Sequence, residues 1–243
     1  MTKHFLLVPL LSLLLTPSFA QNGSDYERFV NDAGELSNIY RGQSPLVYNF
    51  RHTGTYYAYS ENFEIGVVKY NGKIYKDVYL NLNSHLDELN ILIKKTGRTV
   101  VLNNDFVGYF SFGGRNFIYL KDVNKSSGSV PQIGYYQVLY NGSSKLYKKI
   151  KKIYAERINE TASIQTKSKL ERMFLVSESY YLLKEGSFHL IKKKSDLLSY
   201  YKEKKRDIRQ LIREKNLDFR RDKDHSFSEI IRFVESGTTK SDE

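Results

Sequence analysis

Apolar and polar positions follow three regimes along this chain, and each change of period marks a change of element. Between Asn22 and Gln43 the apolar residues Tyr26, Phe29, Val30, Ala33, Leu36, Ile39 and Tyr40 recur at spacings of three and four. That period predicts a short helix broken near Gly34 and ended by Gly42, Ser44 and Pro45. From Val47 to about Val123 the pattern becomes short runs of β-branched and aromatic residues between turn residues, which predicts strands. The runs are Thr55 to Tyr59, Gly66 to Tyr70, Lys73 to Asn81, Leu89 to Lys94, Thr99 to Leu102, Phe106 to Phe112 and Arg115 to Leu120. From Ser195 onward the period is helical again.

Turn chemistry fixes how the strands connect. Asn71-Gly72 tolerates the positive φ that a two-residue type I′ turn needs at both central positions, so Tyr70 and Lys73 should face each other across a hairpin. Gly113-Gly114 predicts a second hairpin, and Lys184-Glu185-Gly186-Ser187 a third, between Tyr180 to Leu183 and Phe188 to Ile191. Lys145 to Tyr154 alternates as an exposed strand would, Arg172 to Ser177 is strand-like, and Glu160 to Lys169 is polar with a turn. Val138 to Gly142 repeats the Val-x-Tyr-Asn-Gly pattern of Val68 to Gly72, a weak sign of duplication. The stretch Val123 to Ile133, rich in Ser, Asn, Gly and Pro, has linker composition and predicts a boundary between two sub-structures.

The C-terminal helices have readable faces. Leu197, Leu198, Tyr201, Ile208, Leu211 and Ile212 share one side, with Ser195 as the expected N-cap; whether Glu203 to Arg206 divides the segment is left open by the pattern. Ser226-Phe227-Ser228-Glu229 fits a capping box, Phe227, Ile230, Ile231 and Val234 form a stripe, and Gly237 stands at the stop. The tail 238–243 should be disordered.

The first twenty residues change the picture of where this fold operates. Lys3 and His4, the apolar run Phe5 to Leu15 and the small-x-small triplet Ser18-Phe19-Ala20 read as a cleaved export signal. The run is too short and too interrupted by Pro9 to cross a bilayer as a helix, and no later stretch is long and apolar enough. The mature chain is therefore expected to begin at Gln21 and to act in the periplasm or at the outer envelope, away from ATP, nicotinamides and chromosomal DNA. The chain has no cysteine, so neither a disulfide nor a lipid-bearing cysteine is possible, and stability must come from burial. Its 20 Tyr and 14 Phe suit half-buried strand faces.

Charge singles out the second half. Residues 21–143 hold 12 Lys and Arg against 11 Asp and Glu, whereas residues 144–243 hold 25 against 16. Lys148, Lys149, Lys151, Lys152, Lys192, Lys193, Lys194, Lys204, Lys205, Arg206, Arg220 and Arg221 could form a surface for an anionic ligand such as lipid phosphate. Alternatively they are a solvated face relieved by Glu203, Asp207 and Glu214.

Catalytic patterns are missing. The mature histidines, His52, His85, His189 and His225, lie in separate segments without metal-ligand spacing, and no cofactor motif is present. No serine stands in a Gly-x-Ser-x-Gly elbow. Asp77, Asp87, Glu88 and Asp105 border predicted strands, where carboxylates usually serve turns and caps, although a glycosidase would need two of them across a cleft.

The run Tyr56-Tyr57, Gly66, Val68, Tyr70-Asn71-Gly72-Lys73, Tyr75, Asp77-Val78, Leu80-Asn81, Glu88-Leu89 resembles a family of exported proteins of unknown function from Bacteroidota. The resemblance continues through Gly134 to Gly142, Asp207 to Gln210 and Asn216 to Lys223. It implies a location in the envelope and brings no catalytic or binding residue with it.

The sequence thus predicts an α+β protein: a signal at 1–20, an N-terminal helix and antiparallel β-meander or curved sheet in 21–123, and β-hairpins followed by basic helices in 134–237. The expected role is non-enzymatic binding of an envelope protein or an anionic envelope component, without nucleic acid. A hydrolase of envelope glycan or peptide without a recognisable motif, and a sugar-binding module using exposed tyrosines, are the alternatives.

Overall fold

The computed structural model describes residues 38–121, 131–159 and 169–236, together with Gly34. The expected export signal, most of the first helix, the polar turn after Asn159, Gly237 and the tail lie outside the described residues. The rest is an α+β fold built on one antiparallel sheet of ten strands with three helices after it.

In chain order the strands are β1 (Glu64–Tyr70), β2 (Lys73–Asn83), β3 (Glu88–Ile93), β4 (Arg98–Val101), β5 (Val107–Phe112), β6 (Arg115–Leu120), β7 (Gly134–Asn141), β8 (Lys145–Asn159), β9 (Lys169–Lys184) and β10 (Ser187–Ile191). Across the sheet they run β10-β9-β8-β7-β6-β5-β1-β2-β3-β4. The helices are α1 (Lys194–Tyr200), α2 (Lys205–Glu214) and α3 (Lys223–Ser236).

Asn71 and Gly72 both take positive φ, 47° and 78°, and Tyr70 pairs with Lys73, so the predicted two-residue turn forms. The second Val-x-Tyr-Asn-Gly run closes differently: Asn141 pairs with Lys145 around a wider turn. Within β2 a bulge falls between the pairs Gly66–Val78 and Val68–Tyr75, with Asp77 at φ 56°. The extra residue lets Tyr75 and Val78, three apart, both reach the core.

The connection from β4 to β5 shapes this half. By the pairing order β4 and β5 run in the same direction, so the link must cross the sheet and also climb the height of a strand. In a flat sheet the crossing alone spans ~19 Å. The link, half of it a 3₁₀ turn at Asn104–Phe106, reaches ~17 Å at most. The sheet therefore curls on itself, and the main-chain N–H of Asn71 donates to the Phe106 carbonyl at 2.8 Å. The curl encloses Val68, Leu80, Leu82, Leu89, Ile91 and Val100 with a stack of Phe110, Phe112 and Phe117. Phe110 and Phe117 lie 4.8 Å apart and nearly parallel, with Tyr135 edge-on at 5.2 Å from Phe110.

The other half buries its face under helices. Leu146, Tyr180, Leu182 and Ile191 from the strands meet Leu197, Leu198, Tyr201, Ile208, Leu211, Phe227, Ile230 and Ile231. A break at 201–204 separates α1 from α2, and Asp196, not Ser195, satisfies the start of α1 by accepting from the N–H groups of Lys192 and Lys193. The helix α3 begins three residues before the expected capping box. Asp222 accepts from the N–H of His225, while Ser226 and Glu229 are buried one turn inside.

Two further expectations are corrected. The sheet does not break at the linker-like stretch, because β6 pairs with β7 from Asn116–Val138 to Leu120–Gly134. Arg172 to Ser177 and Tyr180 to Leu183 form one continuous strand, β9, paired with β8 along fifteen positions from Lys145–Leu183 to Asn159–Lys169.

The third correction bears on function. Thr55 to Tyr59 is no strand. The segment from Arg41 to Phe63 is an irregular strap, pinned by single bridges of Gln43 to Val101, Thr53 to Met173 and Tyr57 to Asn83. It ties β4, β9 and β2 together. Gly42 permits the first contact, since a Cβ there would lie 2.3 Å from the Val101 carbonyl oxygen.

Candidate functional site

The twelve basic residues singled out by the sequence divide into two sets. Lys148 is buried beneath the helices, with Nζ 2.8 Å from Glu178 and 2.9 Å from Asp224, while the Tyr180 hydroxyl donates to Asp224 at 2.8 Å. Lys149 points to the other side of β8, where both Asp87 oxygens accept from it at 2.8 Å. Burial draws its ammonium below the ordinary lysine value against the pull of Asp87. Lys152 is buried too, and burial lowers it likewise. These three side chains serve the fold. Lys151 alone of that group is exposed.

The remaining eight lie on the helical layer. Lys192, Lys193, Lys194, Lys205, Arg206, Arg220 and Arg221 are exposed, and Lys204 donates to the Val234 carbonyl at 2.8 Å. The Lys194 ammonium sits 5.6 Å from the centre of the Phe219 ring, which joins the start of α1 to the Arg220-Arg221 loop. On α2, Ile208 and Leu211 face the core, so Arg206, Arg209 and Arg213, at i, i+3 and i+7, form an outward stripe. Arg209 and Arg213 were not in the sequence-derived set; their helical spacing with Arg206 is the signal that marks them.

Most acids of this layer are held by partners of their own. Asp224 bonds Lys148 and Tyr180, Glu229 bonds Lys215 and Arg232, and Glu235 accepts from Tyr140 and from the N–H groups of Ser143 and Ser144. Asp196 and Asp218 are spent on neighbouring N–H groups. On the outward face Glu203, Asp207 and Glu214 stay exposed beside the stripe, and the exposed lysines and arginines outnumber them.

A second arrangement lies under the strap. Leu80, Leu82, Leu89 and Ile91 face the curled core, so Asn81, Asn83, Glu88 and Asn90 face the opposite side of β2 and β3, where the strap covers them. Asn81 donates to the carbonyls of Ser60 and Asn62, and Asn90 meets the Tyr57 hydroxyl at 3.4 Å. Asn83 Oδ1 accepts from the N–H groups of His85 and Leu86. Nevertheless Tyr48 Oη, Asn83 Nδ2, Ser84 Oγ, Glu88 Oε2 and Asn90 Oδ1 are buried with no hydrogen-bond partner among the described residues. Burial raises Glu88 above the usual carboxylate range, and burial, then Tyr56 and Glu88, raises Tyr48.

Rings surround this patch. Tyr48 lies 5.0 Å from Tyr56 and 5.3 Å from Phe174, while His52 and His85 lie 5.0 and 5.1 Å from Phe174. His85 Nδ1 is 2.8 Å from the Lys152 carbonyl, which can only accept, so Nδ1 carries the proton. Beside the patch, Arg41, Gly42, Gln43, Val101, Leu102 and Asn103 line an open cleft of about 570 Å³. Of its lining, Val101 pairs with Asn90 in the ladder and so shares a face with the orphaned amides, while Leu102 belongs to the curled core.

Asp87 has positive φ in the turn before β3 and Asp105 sits in the 3₁₀ turn, the roles their positions suggested, whereas Asp77 takes its positive φ at the bulge inside β2 and Glu88 is buried under the strap. Among the described residues no group of three His, Asp or Glu could hold a metal ion, and no helix is long and apolar enough to cross a membrane. Comparison with family models, curated proteins and solved structures finds no match to this chain.

Proposed function

We propose that this is an exported, non-enzymatic envelope protein that docks on an anionic surface, such as the phosphate headgroups of a lipid layer, through its helical layer. The observation that carries the reading is the arginine stripe of Arg206, Arg209 and Arg213 on a layer whose acids are mostly spent on internal or neighbouring partners. Guanidinium groups pair with phosphate oxygens in two parallel bonds, and each cation near a charged membrane surface contributes about 1 kcal/mol. Lys192, Lys193, Lys194, Arg220 and Arg221 flank the stripe and extend the contact. The leader-like first twenty residues support the same address.

Co-sedimentation with phosphatidylcholine vesicles, with and without phosphatidylglycerol, tests the reading. Binding should require the anionic lipid and weaken as salt shortens the screening length from ~10 Å at 0.1 M to ~3 Å at 1 M. Replacing Arg206, Arg209 and Arg213 together by Gln should weaken it roughly hundredfold. Retention that ignores both salt and the triple substitution would remove the proposal.

A further inference from the structure

We propose that the covered face of β2 and β3 is a binding site for a neutral oligosaccharide, entered from the cleft beside β4 and closed by the strap.

The orphaned atoms are an amide donor on Asn83, an amide acceptor on Asn90, a carboxyl oxygen on Glu88, and the hydroxyls of Tyr48 and Ser84. Hydroxyls do both jobs, so the patch asks for a ligand that donates and accepts at closely spaced points. Vicinal sugar hydroxyls meet that demand. A phosphate only accepts and would face Glu88, a cation has no use for Asn83 Nδ2, and an apolar ligand would leave every atom unpaired.

Tyr48, Phe50, His52 and Tyr56 on the strap, with Tyr154 on β8 and Phe174 on β9, form a continuous set of rings that meets the polar patch at Tyr48 and His85. Sugars present C–H faces between their hydroxyls, and rings with polar tips suit such two-sided ligands. The cleft, at about 570 Å³, falls within the range of ~300–1,000 Å³ common to ligand pockets.

The strap has no strand of its own, and it is held by single bridges at Gln43, Thr53 and Tyr57 and, toward its end, by Asn81 on Ser60 and Asn62. A segment of this length without regular structure usually carries function. Lifting it between Gln43 and Thr53 would open the Glu88 side of the patch, while Tyr57, Ser60 and Asn62 stay on Asn81, Asn83 and Asn90 and the ten-stranded sheet stays intact.

The experiment is calorimetric titration of the full chain with hexaoses of β-1,4-glucan, α-1,4-glucan, xylan and mannan, and with a neutral hexapeptide as a second amide-rich probe. At least one hexaose should bind and raise the melting temperature. Tyr48→Phe removes a hydroxyl that has no partner in the fold, so it should leave the free protein's melting temperature unchanged or higher while weakening the hexaose at least tenfold. Glu88→Gln should weaken it without unfolding the chain. The arginine-stripe variant should bind the hexaose like the wild type, which separates this site from docking on the helical layer. Failure of every hexaose at millimolar concentration, binding of the hexapeptide instead, or a Tyr48→Phe protein that binds as tightly as the parent would each overturn the proposal.

Discussion

Two covers close this sheet, and they treat buried polar groups in opposite ways. Under the helices the charged groups are satisfied: Lys148 meets two carboxylates, and Glu235 receives three bonds from Tyr140, Ser143 and Ser144. The orphans there are the hydroxyl oxygens of Ser144, Tyr201 and Ser226. Under the strap, two amides, a carboxyl oxygen and two hydroxyls go unpaired within one patch. An unmet buried group costs about 1–3 kcal/mol, so the strap face gives up stability that the helical face keeps. The first is built as a permanent core and the second as a surface waiting for a partner.

The largest test of that contrast is alkaline pH. Burial raises Tyr57 on the strap, Tyr59 and Tyr135 at the curled core, Tyr136 beside it on β7, and Tyr180 and Tyr201 under the helices, the last to about 12. Groups raised in the folded state give their full stability below the unfolded value near 10 and lose it as pH climbs through the folded values. The tyrosine contribution should therefore be constant up to about pH 10 and fall steeply above it. Denaturant midpoints measured alongside tyrosinate absorbance check this; a midpoint unchanged to pH 12 would break it.

Next come the two cores themselves. Phe110→Ala and Phe227→Ala should each cost about 3–5 kcal/mol, and because β6 pairs with β7 both should melt in a single transition. A two-step melt in Phe227→Ala would show that the halves are separable. Asp224→Ala leaves Lys148 with Glu178 alone. Since Asp224 is itself a third exposed, the loss should be about 2 kcal/mol, below the usual range for a broken buried pair. Chemical denaturation measures it, and Lys148→Met should largely restore the midpoint in the Asp224→Ala background.

The smallest effect is the most discriminating. Tyr59 donates to Gln137, so Tyr59→Phe should cost about 1 kcal/mol, whereas Tyr48→Phe should cost nothing. Equal losses would erase the distinction between a paired tyrosine and an orphaned one.

Sequence reasoning reached the strands and helices where local chemistry decides them. Asn71-Gly72 and Gly113-Gly114 need positive φ, Arg115 to Leu120 forms β6 with the expected bounds, and the apolar face of α1 and α2 packs as its period requires. What tertiary contact decides stayed hidden. Asn81, Asn83 and Asn90 alternate with leucine and isoleucine as solvent-facing residues would, and only the strap's passage over them makes them buried. Tyr56 and Tyr57 have strand propensity, but the strap makes only a single bridge there, from Tyr57 to Asn83. Lys148 and Lys152 looked like the polar side of an exposed strand, and the helices and the β2 end cover them instead.

The order of pairing also governs how the chain reaches this state. Of the nine ladders between neighbouring strands, eight join strands consecutive in the chain, and only β1 with β5 is not local. Short-range pairings form fast because little loop entropy is lost in closing them. Hairpins can thus condense one after another, and the return of β5 to β1 is the step that waits for all of β2, β3 and β4. Substitutions along the β1–β5 seam, such as at Val68 opposite Phe110, are where refolding should slow.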